Sequence, residues 1–406
     1  MHSPAAHNDT LALLKAGALQ GSTRLKLSCG LTEFPREIFA LADTLEILDL
    51  TGNALSSLPG DLYKLTKLRI LFCSSNQFTQ LPAVLGQCQN LSMIGFKANQ
   101  LSHIPEQAIP TKHLRWFIVT DNQLTHLPDA LGDCAQLQKL MLAGNQLTDL
   151  PVSMVNCQQL ELLRISANQF AELPAWLFEL PKLTWLAYAG NPFSDALAHD
   201  THPAVNHIDW QHLTLQQVLG EGASGITYQA LWQPPNKAPE TVAVKMFKSG
   251  LTSDGLPECE MQANVLAGEH PNLIGIHGVI QHHPENALGL VMPLLDADLQ
   301  VLADPPSFDS CTRDVYADGL RLSTQQVQHI SQGIAKAVQH LHGRGLIHGD
   351  LYAHNILWND QQVVLSDLGG ASLLPLDNPT LTQQLQQLDL RALTILQQEL
   401  QALLLD

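Results

Sequence analysis

The first half of the chain repeats a pattern of apolar and polar positions with a period of 23 residues. Within one period, Leu140 and Leu142 alternate with other residues, which predicts a short strand with both leucines on its inner face. One period cannot bury this apolar face alone, so neighbouring copies must stack. The series that keep this register are Leu45, Leu68, Leu91, Leu114, Leu137, Leu160 and Leu183, and Asn53, Asn76, Asn99, Asn122, Asn145, Asn168 and Asn191.

The repeating unit, Leu-x-x-Leu-x-Leu-x-x-Asn-x-Leu-x-x-Leu-Pro, resembles the leucine-rich repeat family. The resemblance implies that each asparagine amide lies at the turn after the strand and hydrogen-bonds to backbone groups of adjacent turns, because a buried amide requires partners. We therefore predict an α/β leucine-rich-repeat solenoid over residues 21–193. Residues 1–20 should form a capping helix that starts near Asn8-Asp9-Thr10.

The positions that flank each inward leucine are expected to face solvent on the concave side of the stack. They are unusually rich in Ile, Met, Phe and Trp. We predict a protein-binding surface centred on Phe72, Trp116, Ile118 and Met141. The alternative is that the C-terminal half of the chain, or its own flanks, cover these side chains.

The pattern changes after the repeats. Residues 194–213 have neither the repeat register nor a long apolar period, and we predict a linker there. Residues 214–406 carry β-like apolar runs and then a helical spacing between Ser323 and Gly343, which predicts a second, α+β domain. The apolar positions of that predicted helix are Val327, Ile330, Ile334, Val338 and Leu341.

Five short motifs follow one another in the second half. A glycine-rich segment precedes a β-like run rather than a helix, and a strand ending in Lys245 comes next. A lysine at the end of an apolar strand needs a charged partner, for which Glu258 and Glu260 are candidates and Glu260 is preferred. The remaining motifs are His348-Gly349-Asp350-Leu351-Tyr352-Ala353-His354-Asn355, Asp367-Leu368-Gly369 and a helical stretch around Asp389.

This order and spacing resembles the protein kinase family. The resemblance implies a two-lobed domain in which Lys245 and Glu260 pair, Asp350 accepts the proton of the acceptor hydroxyl, and Asn355 and Asp367 hold Mg²⁺. Asp389 would anchor the catalytic loop. ATP would contact the glycine-rich hairpin, the strand before Lys245, the hinge between the lobes and a residue beneath the adenine. These expected contacts are Gly220, Glu221, Gly222, Ala223, Ser224, Gly225, Thr227, Ala243, Lys245, Pro293, Leu295 and Leu357.

The chain departs from the kinase pattern at several positions. Gly349 stands where the family has an arginine that reads a phosphate on the activation segment, so control by such phosphorylation is not expected. Tyr352 replaces a lysine of serine/threonine kinases, and His354 could supply a donor instead. Asp389 lies only 22 positions after Asp367, and the chain ends at Asp406. We therefore expect a truncated lower lobe without the helices that grip a peptide.

Charge, cysteines and apolar runs narrow the function class. The net charge is −17, of which the residues after 200 carry −13, and no basic stripe is available for a nucleic acid. Seven cysteines without a Cys-x-x-Cys pair predict free thiols. No apolar run reaches the roughly 18 residues of a membrane span, and no signal sequence is evident at Met1. We expect a cytoplasmic protein.

Together these patterns resemble the leucine-rich-repeat protein kinases found in bacteria. The resemblance implies an ATP- and Mg²⁺-dependent serine/threonine kinase that recruits or senses a protein and phosphorylates that partner or itself. One alternative is a nucleotide-binding pseudokinase scaffold joined to a recognition solenoid. Another is a small-molecule phosphotransferase, because His348-Gly349-Asp350 is also typical of antibiotic and choline phosphotransferases.

Overall fold

The computed structural model describes residues 4–198, 205–222, 224–235, 237–252 and 254–405. They fall into two compact units. The first runs to Arg164 and includes Asn168–Leu183, and the second comprises Ile165–Ala167 and the residues from Thr184 onward. Ala223, one of the predicted nucleotide contacts, lies outside the described residues.

The first unit is a stack of parallel strands at intervals of one repeat. Leu48, for example, pairs with Leu71, and Phe117 pairs with Leu140. The strands are β1 (Arg24–Lys26), β2 (Ile47–Asp49), β3 (Ile70–Phe72), β4 (Met93–Gly95), β5 (Trp116–Ile118), β6 (Lys139–Met141) and β7 (Leu162–Arg164). Short 3₁₀ helices follow most strands: Arg36–Leu41, Leu62–Lys64, Ala83–Gln87, Glu106–Ala108, Asp129–Asp133, Val152–Asn156 and Ala175–Glu179.

The asparagine ladder that the resemblance to leucine-rich repeats implies is present. The Asn145 amide group donates to the carbonyl oxygens of Val119 at 3.0 Å and Leu142 at 2.8 Å, and its Oδ1 accepts from the Leu124 amide at 3.0 Å. Leu140 and Leu142 are fully buried, as expected. The capping helix, α1, spans Pro4–Lys15 and therefore begins before the predicted Asn8-Asp9-Thr10 start.

The expected solvent-facing surface is only partly exposed. Phe72, Trp116 and Ile118 are half-buried, but Met141 is buried, so its inclusion in an exposed surface was wrong. Close packing explains part of this: the Trp116 indole donates to Met141 Sδ at 3.4 Å, and Lys139 Nζ lies 4.2 Å from the centre of the Trp116 ring. Short strands at close spacing let large side chains cover their neighbours.

The first strands and helix of the second unit are β8 (Trp185–Ala187), α2 (Pro192–Ala198) and β9 (His207–Asp209). The described part of the predicted linker therefore contains regular structure, and β9 pairs in parallel with a later strand through Ile208 and Ile280. The remaining strands of the upper lobe are β10 (Leu213–Glu221), β11 (Gly225–Trp232), β12 (Glu240–Phe247), β13 (Gly278–Gln281) and β14 (Gly289–Pro293). They form one sheet in the order β10-β11-β12-β14-β13-β9, and α3 (Pro257–Ala267) follows β12 in sequence.

The lower lobe is mainly helical. Helix α4 (Thr324–Gly343) is capped by Ser323, whose side chain accepts from the Gln326 amide while Gln326 Oε1 accepts from the Ser323 amide. All five apolar positions of the predicted helix are buried. Helix α5 (Pro379–Ala402) packs on α4. Five short strands accompany these helices, one before α4 and four between α4 and α5: β15 (Gln300–Val301), β16 (Leu346–Ile347), β17 (Ile356–Trp358), β18 (Val363–Leu365) and β19 (Ser372–Leu373).

Candidate active site

The glycine-rich segment forms a hairpin between β10 and β11. The Gly222 amide donates to the Gly225 carbonyl at 2.9 Å, and Lys248 Nζ donates to Glu221 Oε1 at 2.7 Å and to the Gly222 carbonyl at 3.0 Å. A Cβ on Gly225 would lie 2.5 Å from the Met246 carbonyl oxygen, so this position requires glycine. At Gly220 and Gly222 the space is open, which leaves the backbone accessible to a phosphate.

Lys245 and Glu260 form a buried ion pair between β12 and α3. Their side chains are 16% and 4% exposed, whereas Glu258 is exposed on the same helix. Burial raises the pKa of the Glu260 carboxyl, although the charge of Lys245 opposes the shift. The structure thus pairs Lys245 with the glutamate that the sequence favoured.

The Asp367 carboxylate lies close to this ion pair. A Cβ on Gly369 would be 3.0 Å from Asp367 Oδ1 and 3.6 Å from Glu260 Oε2, so both carboxylates approach one glycine. Asp367 has a φ of +56° and accepts from the Gly369 amide at 3.0 Å. This left-handed conformation is uncommon outside glycine, although Asp tolerates it better than most residues. Strained backbone of this kind is concentrated at functional sites.

Asp389 holds the backbone of the predicted catalytic loop. Its Oδ2 accepts from the His348 amide at 2.8 Å and its Oδ1 accepts from the Gly349 amide at 3.0 Å. The His342 ring lies 3.1 Å from the same carboxylate, which is 1% exposed. A buried carboxylate that accepts from several donors is a rigid support, because each hydrogen bond that it accepts restrains the position of the donor in the loop.

Asp350 and Asn355 are adjacent in this loop. Asn355 Nδ2 donates to the Asp350 carbonyl at 2.9 Å and lies 3.3 Å from Asp350 Oδ2. The Asp350 amide donates to His348 Nδ1 at 3.2 Å, while His348 Nε2 faces the Ser366 carbonyl at 3.1 Å, which assigns the ring proton to Nε2. Ser366 Oγ in turn donates to the Asn355 carbonyl at 2.9 Å. These bonds connect the loop to the residue before Asp367.

The oxygen donors at this place suit Mg²⁺. The Asn355 amide oxygen and the exposed Asp367 carboxylate are hard ligands of the kind that Mg²⁺ prefers. In the described part of the chain, no group of three or more His, Cys, Asp or Glu side chains could hold a metal ion. Mg²⁺ is usually held by one or two carboxylates together with substrate phosphates and water.

A cavity of about 450 Å³ lies beside the hinge. Six of the predicted nucleotide contacts line it: Gly220, Thr227, Ala243, Pro293, Leu295 and Leu357. Its walls are mostly apolar and come from both lobes, which suits a flat aromatic base. Pro293 pairs with Val242 across β12 and β14, and this pairing places the hinge next to the strand that carries Lys245.

No sequence motif indicates a role for Asp314. Its side chain is 2% exposed, and its two oxygens bind the Ala353 amide at 2.6 Å and His354 Nδ1 at 2.7 Å. Burial lowers the pKa of His354, but the hydrogen bond and charge of Asp314 outweigh that effect, so the net pKa is raised. Asp314 lies 40 residues before His354 in a stretch without a motif, and only the fold brings the two together.

The comparisons with known proteins agree with this geometry. Residues 213–391 match the family model described as protein tyrosine and serine/threonine kinase, and residues 43–103 match the model of two leucine rich repeat copies. The second half of the chain therefore contains a protein kinase domain, and the first half contains leucine-rich repeats. In the described part of the chain, no helix combines the length and apolar character that a membrane crossing requires.

Three relatives illustrate the similarity. Ephrin type-B receptor 5 of Gallus gallus is 31% identical over 43% of this chain and 17% of its own length. The probable serine/threonine-protein kinase gdt4 of Dictyostelium discoideum is 29% identical over 37% of this chain and 8% of its own length. The tyrosine-protein kinase transmembrane receptor Ror of Drosophila melanogaster is 27% identical over 43% of this chain and 25% of its own length. The chain thus spans a quarter or less of the length of these relatives, and a bacterial origin stays a prediction.

Proposed function

We propose that this chain is a protein kinase that uses ATP and Mg²⁺ to phosphorylate serine or threonine on a recruited protein or on itself. The observation that supports this most is the buried Lys245–Glu260 ion pair next to Asp367. A buried charge pair of this kind is costly unless it serves the fold or a site. Here the pair lies between a glycine hairpin and a carboxylate that can bind metal, which is the arrangement that phosphoryl transfer requires.

Each residue has a role that follows from its place. The Lys245 ammonium would bind phosphate oxygens of ATP, and Glu260 would hold that ammonium in position. Asn355 and Asp367 would ligate Mg²⁺, which neutralises charge on the phosphates when it is bound. Asp350 would orient the acceptor hydroxyl and accept its proton. The apolar cavity beside Leu357 would hold adenine.

Which type of residue accepts the phosphate, serine and threonine or tyrosine, has to be determined by a direct assay. The relatives are named both as tyrosine kinases and as a probable serine/threonine kinase. We propose serine or threonine, and identification of the phosphorylated residue by mass spectrometry would test that choice. A product that contains only phosphotyrosine would contradict it.

The catalytic proposal is tested at Asp350. Replacing Asp350 with Asn keeps the size of the side chain but removes the base, so phosphate transfer should fall by roughly 10²–10⁴. Transfer from radiolabelled ATP with Mg²⁺ measures this directly, and calorimetry should show that nucleotide binding is retained. An unchanged transfer rate in Asp350→Asn would contradict the assigned role.

A nucleotide-binding scaffold is the second candidate, and one observation favours it. Only five residues, Leu374–Asn378, separate β19 from α5, which leaves little chain to hold a peptide there. The Asp367→Ala variant distinguishes the two functions in the same assay. Mg²⁺-dependent transfer that Asp367→Ala abolishes supports an enzyme, whereas nucleotide binding without transfer in the wild type supports the scaffold.

The match to a protein kinase model disfavours a small-molecule phosphotransferase, and adding small acceptors to this assay tests that alternative.

We also propose that the repeats bind a protein through Phe72, Trp116 and Ile118 and that the protein acts in the cytoplasm. The three side chains are half-buried and large, as anchors of an interface usually are. None of the seven cysteines, which all lie in the described part of the chain, forms a disulfide, and this fits a reducing compartment.

A further inference from the structure

The strand β8 has the register of a repeat but belongs to the same unit as the kinase domain. It continues the outward series through Trp185, which is 2% exposed. The turn after β8 bonds to β19: the Tyr188 amide donates to Ser372 Oγ at 3.2 Å, and the Tyr188 hydroxyl donates to the Leu373 carbonyl at 2.7 Å. The last repeat turn therefore forms part of the lower lobe.

Trp185 contacts the predicted catalytic loop directly. Its indole N–H donates to the Leu351 carbonyl at 2.9 Å in a buried setting. Its ring stacks on Tyr352, with ring centres 4.3 Å apart and an interplanar angle of 11°. The Arg313 guanidinium lies 5.3 Å from the Trp185 ring centre. The bonded carbonyl belongs to the Leu351–Tyr352 peptide group, one residue beyond the proposed base Asp350.

The backbone of β8 also explains the glycine at position 349. Gly349 has a φ of +68°, and a Cβ there would lie 2.6 Å from the Leu186 carbonyl oxygen and 2.5 Å from that of Gly370. A side chain at this position would therefore collide with two backbone segments. The backbone of β8 therefore leaves no room for the arginine that the kinase pattern has at position 349. Tyr352, which replaces the lysine of the pattern, stacks on Trp185.

We infer that Trp185 is a positioning residue for the catalytic loop. Through this residue, the last leucine-rich repeat would help to set the geometry of that loop. The indole bond and the stack hold residues 350–352 in one geometry. A small displacement of a base can cost much of its effect on the rate, because proton transfer requires close approach of the reacting atoms. The inference rests on the proposed function in one respect, namely that Asp350 is the base.

The test replaces Trp185 with Phe, which keeps an aromatic ring but removes the N–H donor. We expect the kcat for phosphate transfer to fall by roughly ten-fold while the KM for ATP stays unchanged, since the bond supports the loop and not the nucleotide pocket. Hydrogen exchange of the full-length chain should show faster exchange of the amides at 349–353 in Trp185→Phe. That second readout does not require catalysis.

Tyr188→Phe is the matched control. It removes a buried hydrogen bond of the same repeat turn, but one that reaches β19 rather than the catalytic loop. Both variants should lower the melting temperature, and only Trp185→Phe should lower kcat and loosen the loop. Equal kcat in both variants, or losses that follow the melting temperature in both, would overturn the inference. A wild-type chain without phosphate transfer would contradict the proposed function, while faster loop exchange in Trp185→Phe would still support the positioning role.

Discussion

At the scale of single residues, the site depends on contacts that a sequence motif only partly encodes. Glu258 and Glu260 were both candidates for the partner of Lys245, with Glu260 preferred, and burial explains the outcome: α3 places Glu260 inward and Glu258 in solvent. The Asp314 contact with His354 and the Trp185 contact with Leu351 had no comparable signal. Both join positions far apart in the chain, where no spacing rule applies.

The Lys245–Glu260 pair gives a prediction with a built-in control. Glu260→Gln removes the charge that holds the Lys245 ammonium, so kcat/KM for ATP should fall by roughly 10²-fold. Glu258→Gln makes the same chemical change two residues away on the exposed face of the helix, and activity should be retained. Steady-state kinetics at saturating acceptor measures both. Equal activity of the two variants would show that the ion pair does not serve phosphate transfer.

At the scale of elements, periodic patterns predicted the strands and helices well. The helix at Thr324–Gly343 and the strands of the repeats appear where apolar spacing places them, because burial of one face is a local property of sequence. The linker was predicted less well. Ile208 is the only apolar side chain of the three-residue strand β9, so no apolar period marks this strand. Its pairing partner Ile280 lies in β13, far away in the sequence.

The asparagine ladder can be tested one repeat at a time. Asn145→Ala removes an amide that binds three buried backbone groups, so the free energy of unfolding should fall by about 2–4 kcal/mol. Asn90→Ala is the control: its amide donates to the Thr66 carbonyl at 2.7 Å at an exposed site, and the change should be within about 0.5 kcal/mol. Urea unfolding followed by circular dichroism measures both. A loss for Asn145→Ala no larger than the control would contradict a structural role of the ladder.

At the scale of the whole molecule, the kinase site is better supported than the predicted protein-binding surface of the repeats. The kinase motifs converge on one place in the second unit, because their order in the sequence already reflects a shared fold. The concave surface of the repeats was predicted from an alternation of residues, and that alternation says nothing about how much a neighbour covers. Met141 shows this limit: it has the outward register and is nevertheless buried. A partner surface therefore has to be tested with residues that remain partly exposed.

Trp116→Ala combined with Ile118→Ala is the variant that suits this test, since Met141→Ala would also open a cavity. If the concave surface recruits a protein, the double variant should lose most of its captured partners, because large half-buried side chains carry much of an interface energy. Val152→Ser is the control, since Val152 is 72% exposed on a 3₁₀ helix outside the strands of the repeats. Quantitative mass spectrometry after affinity capture compares the three proteins, with melting temperatures measured in parallel. A captured set that is the same for all three would place recruitment elsewhere on the chain.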